Sequence, residues 1–208
     1  MPIKHEVRIL GIDDGPIISA NVVLIGAVFR GAYWLDDALR SEIERDGFDV
    51  VEVLSGLQLH QMPHLVHTEK MVELVRSSNR YEQIRAIMLD GITYAGFNIV
   101  DLNALHRQTG LPIIAVMRSP PNLKKVKEAL KNLDRSEERW NLAQNAGDIH
   151  EVTTSYGSVF VQCCGIDLSS ATELVQLTSI HSRIPEPLRV AHLIASRIFS
   201  KGADISKV

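Results

Sequence analysis

Two segments, VRILGID (residues 7–13) and IRAIMLD (residues 84–90), constrain the fold more than any other part of the chain. Both are apolar without the alternation of a half-buried strand, so both read as central strands covered on each face. Each stops on a carboxylate with glycine close behind, as Asp13-Asp14-Gly15 and as Asp90-Gly91. A strand buried on both faces needs helices above and below it, and the rest of the chain has the patterns to supply them.

NVVLIGAVFR (residues 21–30) reads as a second strand, and Gly31 in RGAYW turns the chain. FDVVEVL (residues 48–54) alternates better and reads as a third strand nearer an edge. The rhythm then changes. TEKMVELVRSSN (residues 68–79) opens on a capping threonine and carries Met71, Leu74 and Val75 at helical spacing. NIVDLNALHRQTG (residues 98–110) reads as a helix capped by Asn98 and ended by Gly110. LPIIAVMR (residues 111–118) is a strand, NLKKVKEALKNL (residues 122–133) an amphipathic helix and SVFVQCCG (residues 158–165) a late strand. SSATELVQLTSIH (residues 169–181) reads as a helix capped near Ser169. The last helix, residues 186–200, has Pro187 in its first turn and a stripe of Leu188, Ala191, Ile194, Ala195 and Ile198. Three strands followed by helix–strand alternation predict an α/β fold: a mixed sheet with helices on both faces, its helix-linked strands parallel. With no repeat, low-complexity tract or long linker, residues 1–208 are expected to form one domain.

Hydrophobic residues at 45% and charged residues at 23% are ordinary globular proportions. No apolar run is long enough for a membrane helix, and the first residues lack the apolar core of a signal peptide. A soluble, cytoplasmic protein without a membrane partner is expected. The net charge of −3 argues against a protein that coats nucleic acid, though not against an enzyme with a small footprint on it. Local basic density lies in residues 117–131. Adjacent Cys163 and Cys164 would point to opposite faces of a strand, so they read as small hydrophobes rather than a disulfide. His60, His64 and His67 are spaced like a helical face, but Pro63 interrupts it and no cysteine or carboxylate completes a zinc set. GITYAG lacks the Gly-Lys-Ser/Thr of a P-loop, and GIDDGP precedes a strand rather than the helix of a dinucleotide site. Oligomeric state has no signature in the sequence.

If residues 7–13 and 84–90 form parallel neighbours, Asp13 and Asp90 lie side by side at carboxyl ends of strands, where open α/β sheets place their sites. Carboxylates that close repel unless a proton or a cation intervenes. An oxygen-rich set suits Mg2+ or Mn2+. Asp167, just past the strand ending at Gly165, is the third candidate ligand, and Gly91 and Gly96 would leave room for a ligand's approach. Asp-Gly after a strand is also ordinary turn chemistry. The pair, with Asp167 beside it, favours the metal.

The motifs GIDDG, FRG, DGFD, LDGITYAGFNIVD, TGLPIIAVMR and SRIPEPLRVAHLIAS resemble the mostly archaeal endonuclease dU family, which is related to endonuclease V. The resemblance covers about residues 4–200. It implies a ribonuclease H-like fold, three antiparallel strands and then helix–strand alternation, with the first and fourth strands adjacent. Asp13 of GID and Asp90-Gly91 match the acidic strand ends of endonuclease V, whereas Ile92-Thr93 replace its His-Gly. Arg118 stands where that family has lysine, and Ile166 replaces the histidine ahead of Asp167. RIPEPLRVAH is similar to its last helix start. The glutamate of the family's Phe-Arg-Glu has no counterpart in FRG, and Asp46, Asp49 and Glu52 are the candidate substitutes. Its aromatic–proline wedge has no evident equivalent.

The resemblance implies a Mg2+- or Mn2+-dependent endonuclease of DNA repair, cleaving a phosphodiester near deoxyuridine or deoxyinosine, with DNA ahead of RNA as partner. Asp13, Asp14, Asp90 and Asp167 would be the catalytic acids, and Asp13, Asp90 and Asp167 the metal ligands. Arg118, Lys124 and Lys125, with Lys127, would bind phosphates. Thr93 and Tyr94 would line the nucleotide pocket, and Asn98 would cap a helix whose amino end faces phosphate. The competing readings are a catalytically weak nucleic-acid or nucleotide-binding module, and an enzyme acting on a small phosphorylated substrate.

Overall fold

The computed structural model describes residues 3–16, 21–44 and 66–198. The elements run β1 (Arg8–Asp14), β2 (Asn21–Arg30), β3 (Trp34–Glu44), α1 (Val66–Ser77), β4 (Ile84–Asp90), β5 (Thr93–Tyr94), β6 (Asn98–Ile99), α2 (Leu102–Thr109) and β7 (Ile113–Met117). They continue with α3 (Leu123–Leu130), α4 (Ser136–Asn145), β8 (His150–Thr154), β9 (Gly157–Cys164), α5 (Leu168–Thr178) and α6 (Glu186–Ile198). Seven strands form one sheet in the order β3-β2-β1-β4-β7-β9-β8. β1, β2 and β3 are antiparallel neighbours, whereas β1–β4 and β4–β7 are parallel. This is the expected ribonuclease H-like mixed sheet.

The two unalternating strands are central, and their residues divide between two cores. Leu10 and Ile12 of β1, with Ile87 and Leu89 of β4, pack under α1 and α2. Ile9, Ala86 and Met88 pack on the other face beneath α5 and α6. Ala191 and Ala195 of α6 lie on Val23, Ile25, Ala27 and Phe29 of β2. Small residues on that stripe let α6 approach closely, and Gly11 takes this furthest. A Cβ there would stand 2.3 Å from the Pro187 carbonyl carbon and 2.7 Å from the Leu188 nitrogen.

Several expectations need correction. The third strand is β3, not residues 48–54, which lie outside the described residues. Among the described residues β3 is an edge strand pairing with β2 alone, and its polar sequence lacked the apolar signal of a central strand. Asn98 does not cap a helix. It lies in β6 opposite Tyr94, and α2 starts after Asp101, whose carboxylate accepts from the Ala104 N–H at 2.9 Å. Thr68 lies inside α1, where its hydroxyl oxygen accepts from the Asp101 N–H at 3.2 Å. The cap of α5 is Asp167 rather than Ser169. α4 and β8 were not read from the sequence at all.

Candidate metal centre

Alternation along β1 sends Ile9 to the α5–α6 side and Leu10 and Ile12 to the α1–α2 side. Asp13 therefore faces α6 and Asp14 faces away from it. On β4 the same parity puts Asp90 on the α6 side with Ala86 and Met88. Ile12 pairs with Leu89 in the parallel ladder, so the next residues, Asp13 and Asp90, end adjacent strands on one face.

The third member of the cluster comes from α6. His192 Nδ1 lies 2.7 Å from Asp13 Oδ2. The contact follows from element geometry. Gly11 to Asp13 is two strand residues, about 6.6 Å, and Pro187 to His192 is five helical residues, about 7.5 Å. The close approach at Gly11 thus brings His192 level with Asp13. One oxygen or ring nitrogen from each of Asp13, Asp90 and His192 fits within a 4.8 Å span.

Asp13 is nearly buried, at 4% exposure, and its pKa is pushed up from 3.8 to about 7. Burial is the main cause and the neighbouring Asp90 the second, while the Asp14 N–H and His192 pull it down. One proton serves the Asp13–His192 contact, held on Nδ1 when Asp13 is ionised and on the carboxyl when it is not. Arg118, at the end of β7, donates from Nη1 to Asp90 Oδ1 at 3.1 Å and Oδ2 at 2.9 Å. A divalent cation fits this donor set, because ionising Asp13 beside Asp90 in a buried position is opposed until positive charge offsets it.

Asp14 ties down the loop that follows β4. Its Oδ2 accepts from the Ala95 N–H at 2.5 Å, and Ala95 has φ +45°. Tyr94 has no exposed surface, and its hydroxyl donates to the Ile12 carbonyl at 2.9 Å. Tyr94 is therefore an anchor between that loop and β1, not the pocket residue expected. Thr93, on the other side of the ribbon, is exposed. Gly91 has φ +78° with nothing within 4 Å of where a Cβ would be, so the space beside Asp90 is open as expected. Lys124 and Lys125 are exposed on α3, which follows β7 at the same end of the sheet as Arg118.

Asp167 does not join the cluster. β9 runs antiparallel to β7, with Cys164 opposite Ile113 at the start of β7 and Val161 opposite Val116, the partner of Asp90. Gly165 and Asp167 therefore leave the sheet at the edge opposite Asp90, about 10 Å or more away along the strands. Asp167 accepts from the Ser170 N–H at 2.9 Å and the Ser170 hydroxyl at 2.7 Å, and these bonds lower its pKa. The cause is β8. Helices link β7 to β8, and a hairpin then returns β9 between them with reversed direction. Asp46, Asp49, Glu52, His60 and His64 lie outside the described residues. Cys163 and Cys164 are free and partly buried, and burial pushes the Cys163 thiol up to about 11.

His192 was the residue not singled out. Its only sequence signal is a polar side chain directly after Ala191 of the buried stripe, in a helix already expected.

The fold and cluster define a ribonuclease H-like protein with paired carboxylates at adjacent strand ends. A family model described as endonuclease dU matches residues 5–66 and 65–199. The chain is 45% identical over 196 residues to a UPF0215 protein of Methanosarcina barkeri, covering 94% of this chain and 92% of that one. A crystal structure of an Archaeoglobus fulgidus protein superposes with a TM-score of 0.76 at 35% identity, over 92% of this chain and 97% of that one. Endonuclease V of Ciona intestinalis, solved with a 24mer DNA containing an inosine followed by a ribo-adenosine, is similar in fold. Its TM-score is 0.52 at 13% identity, over 88% of this chain and 82% of that one. The chain belongs to the endonuclease dU family, and membership supports a nuclease acting on nucleic acid. No helix among the described residues is long and apolar enough to cross a membrane.

Proposed function

We propose that the protein is a divalent-metal-dependent endonuclease that cuts DNA beside a deaminated base, with deoxyuridine ahead of deoxyinosine. The observation that carries this reading is the convergence of Asp13, Asp90 and His192 within 4.8 Å at the end of a ribonuclease H-like sheet. Asp13, Asp90 and His192 would hold Mg2+ or Mn2+, the carboxylates supplying hard oxygen donors. When bound, the ion supplies Lewis acidity to the phosphoryl group and lowers the pKa of water. His192 orients Asp13 through Nδ1. Asp14 fixes the backbone at Ala95, so the exposed Thr93 is presented beside the site. Arg118, Lys124 and Lys125, with Lys127, offer positive charge to the phosphates that flank the cut.

Duplexes carrying a single deoxyuridine, a single deoxyinosine or neither, incubated with Mg2+ or Mn2+, test the reading. Nicking is expected for the deoxyuridine duplex and is lost with Asp90→Asn, by a factor of roughly 100 or more. Equal nicking by wild type and Asp90→Asn would refute it.

A further inference from the structure

Asp90 already holds one positive partner, and a divalent cation bound through the same carboxylate would compete with it for that charge. Arg118 Nη1 sits on both of its carboxylate oxygens, at 3.1 and 2.9 Å. Those are the oxygens a divalent cation would need for ligation through Asp90. Two cations on one carboxylate also repel each other, most strongly where one side is buried. The Asp90 side chain is only 13% exposed, whereas that of Arg118 is 48% exposed. Arg118 is also the residue after β7, with the cap of α3 four positions on, so its anchor lies at the rim and not in the sheet. The acid is fixed and the guanidinium is the partner with room to leave.

We infer that Arg118 is the internal counter-ion of this site, exchanged for the metal and thereby released towards the phosphate of the nucleic acid. This rests on the metal-dependent nuclease reading and adds a coupling to it. Arg118 held on Asp90 through Nη1 spends its charge there and offers less of it to a phosphate. Metal binding displaces it at little cost, since a half-exposed ion pair contributes little. The freed planar fork then matches a phosphate. Because linkage is reciprocal, DNA that engages Arg118 raises metal affinity by the same factor that metal raises DNA affinity.

The test is calorimetric titration of Mn2+ into the full chain without DNA, alongside anisotropy titrations of a deoxyuridine duplex with and without Ca2+. Arg118→Gln is expected to bind Mn2+ about three- to tenfold more tightly than wild type. Its gain in DNA affinity on adding Ca2+ is expected to shrink to a small fraction of the wild-type gain. Arg118→Lys, which keeps the charge, is expected to return Mn2+ affinity to near the wild-type value, which a merely structural role for the side chain would not predict. Melting curves establish that each variant folds. An Arg118→Gln affinity for Mn2+ equal to or weaker than wild type, with Asp90→Asn still abolishing binding, overturns the counter-ion role alone. If the wild-type chain takes up no Mn2+ at all, the metal reading falls and this inference falls with it.

Discussion

Asp13 is the most perturbed acid facing the centre, and its direction of shift sets a pH signature. The folded protein holds its proton up to about pH 7, whereas an ordinary aspartate releases it near 3.8. Between those values the folded state binds a proton that the unfolded chain does not, so this residue's contribution to stability falls as pH rises through that window. A bound cation takes the place of that proton. The rise in Tm on adding Mn2+ is therefore expected to be larger at pH 8 than at pH 5.5. Equal shifts at the two pH values would mean that Asp13 does not trade its proton for metal. Asp13 and Asp90 were legible as a pair, since either Asp alone also fits turn chemistry, but two apolar, unalternating strands ending alike point to one shared edge. His192 was not, because its meaning depends on how closely a helix lies on a strand, and that is set by Gly11, 181 positions away by number. Tyr94 misled because a tyrosine in a glycine-rich loop resembles a ligand contact until its burial is known.

Among the elements, α6 on β1 decides whether the site exists. Gly11 is required by space, since an added Cβ meets the backbone of Pro187 and Leu188 at 2.3–2.7 Å. Neither backbone can swing aside as a side chain would. Gly11→Ala is expected to cost about 3 kcal/mol in denaturant unfolding, the upper range for overpacking. It is also expected to weaken Mn2+ binding by about tenfold, by lifting His192 from Asp13. A variant as stable as wild type with unchanged Mn2+ affinity would show that this approach does not set the site. The same level of organisation explains the failure of Asp167. The end of an apolar strand was legible, but its direction was not, because reading it required the five-residue β8 with its weak, polar pattern. One unrecognised strand reversed β9 and moved its acid to the opposite edge.

At the scale of the molecule, a net charge of −3 leaves little general attraction for DNA. Under the proposed function, contact with DNA would rest on the local cations Arg118, Lys124, Lys125 and Lys127. Each phosphate neutralised contributes about −0.9 to the slope of log affinity against log salt, so four contacts allow a slope no steeper than about −4. Removing Lys124 and Lys125 together should flatten it by roughly 2 units, read from Kd across a salt series. An unchanged slope would place the DNA elsewhere. The later alternation and the two covered faces of the sheet were legible at this scale, because each follows from periodicity summed over many residues, whereas the antiparallel opening rested on the family resemblance. The contact between Asp13 and His192 spans 179 positions of the chain. A polypeptide emerging from the ribosome has its two acidic strand ends long before it has the imidazole that meets them. Until α6 has been synthesised and has docked, a partly made chain carries the two acids without the imidazole that completes the cluster.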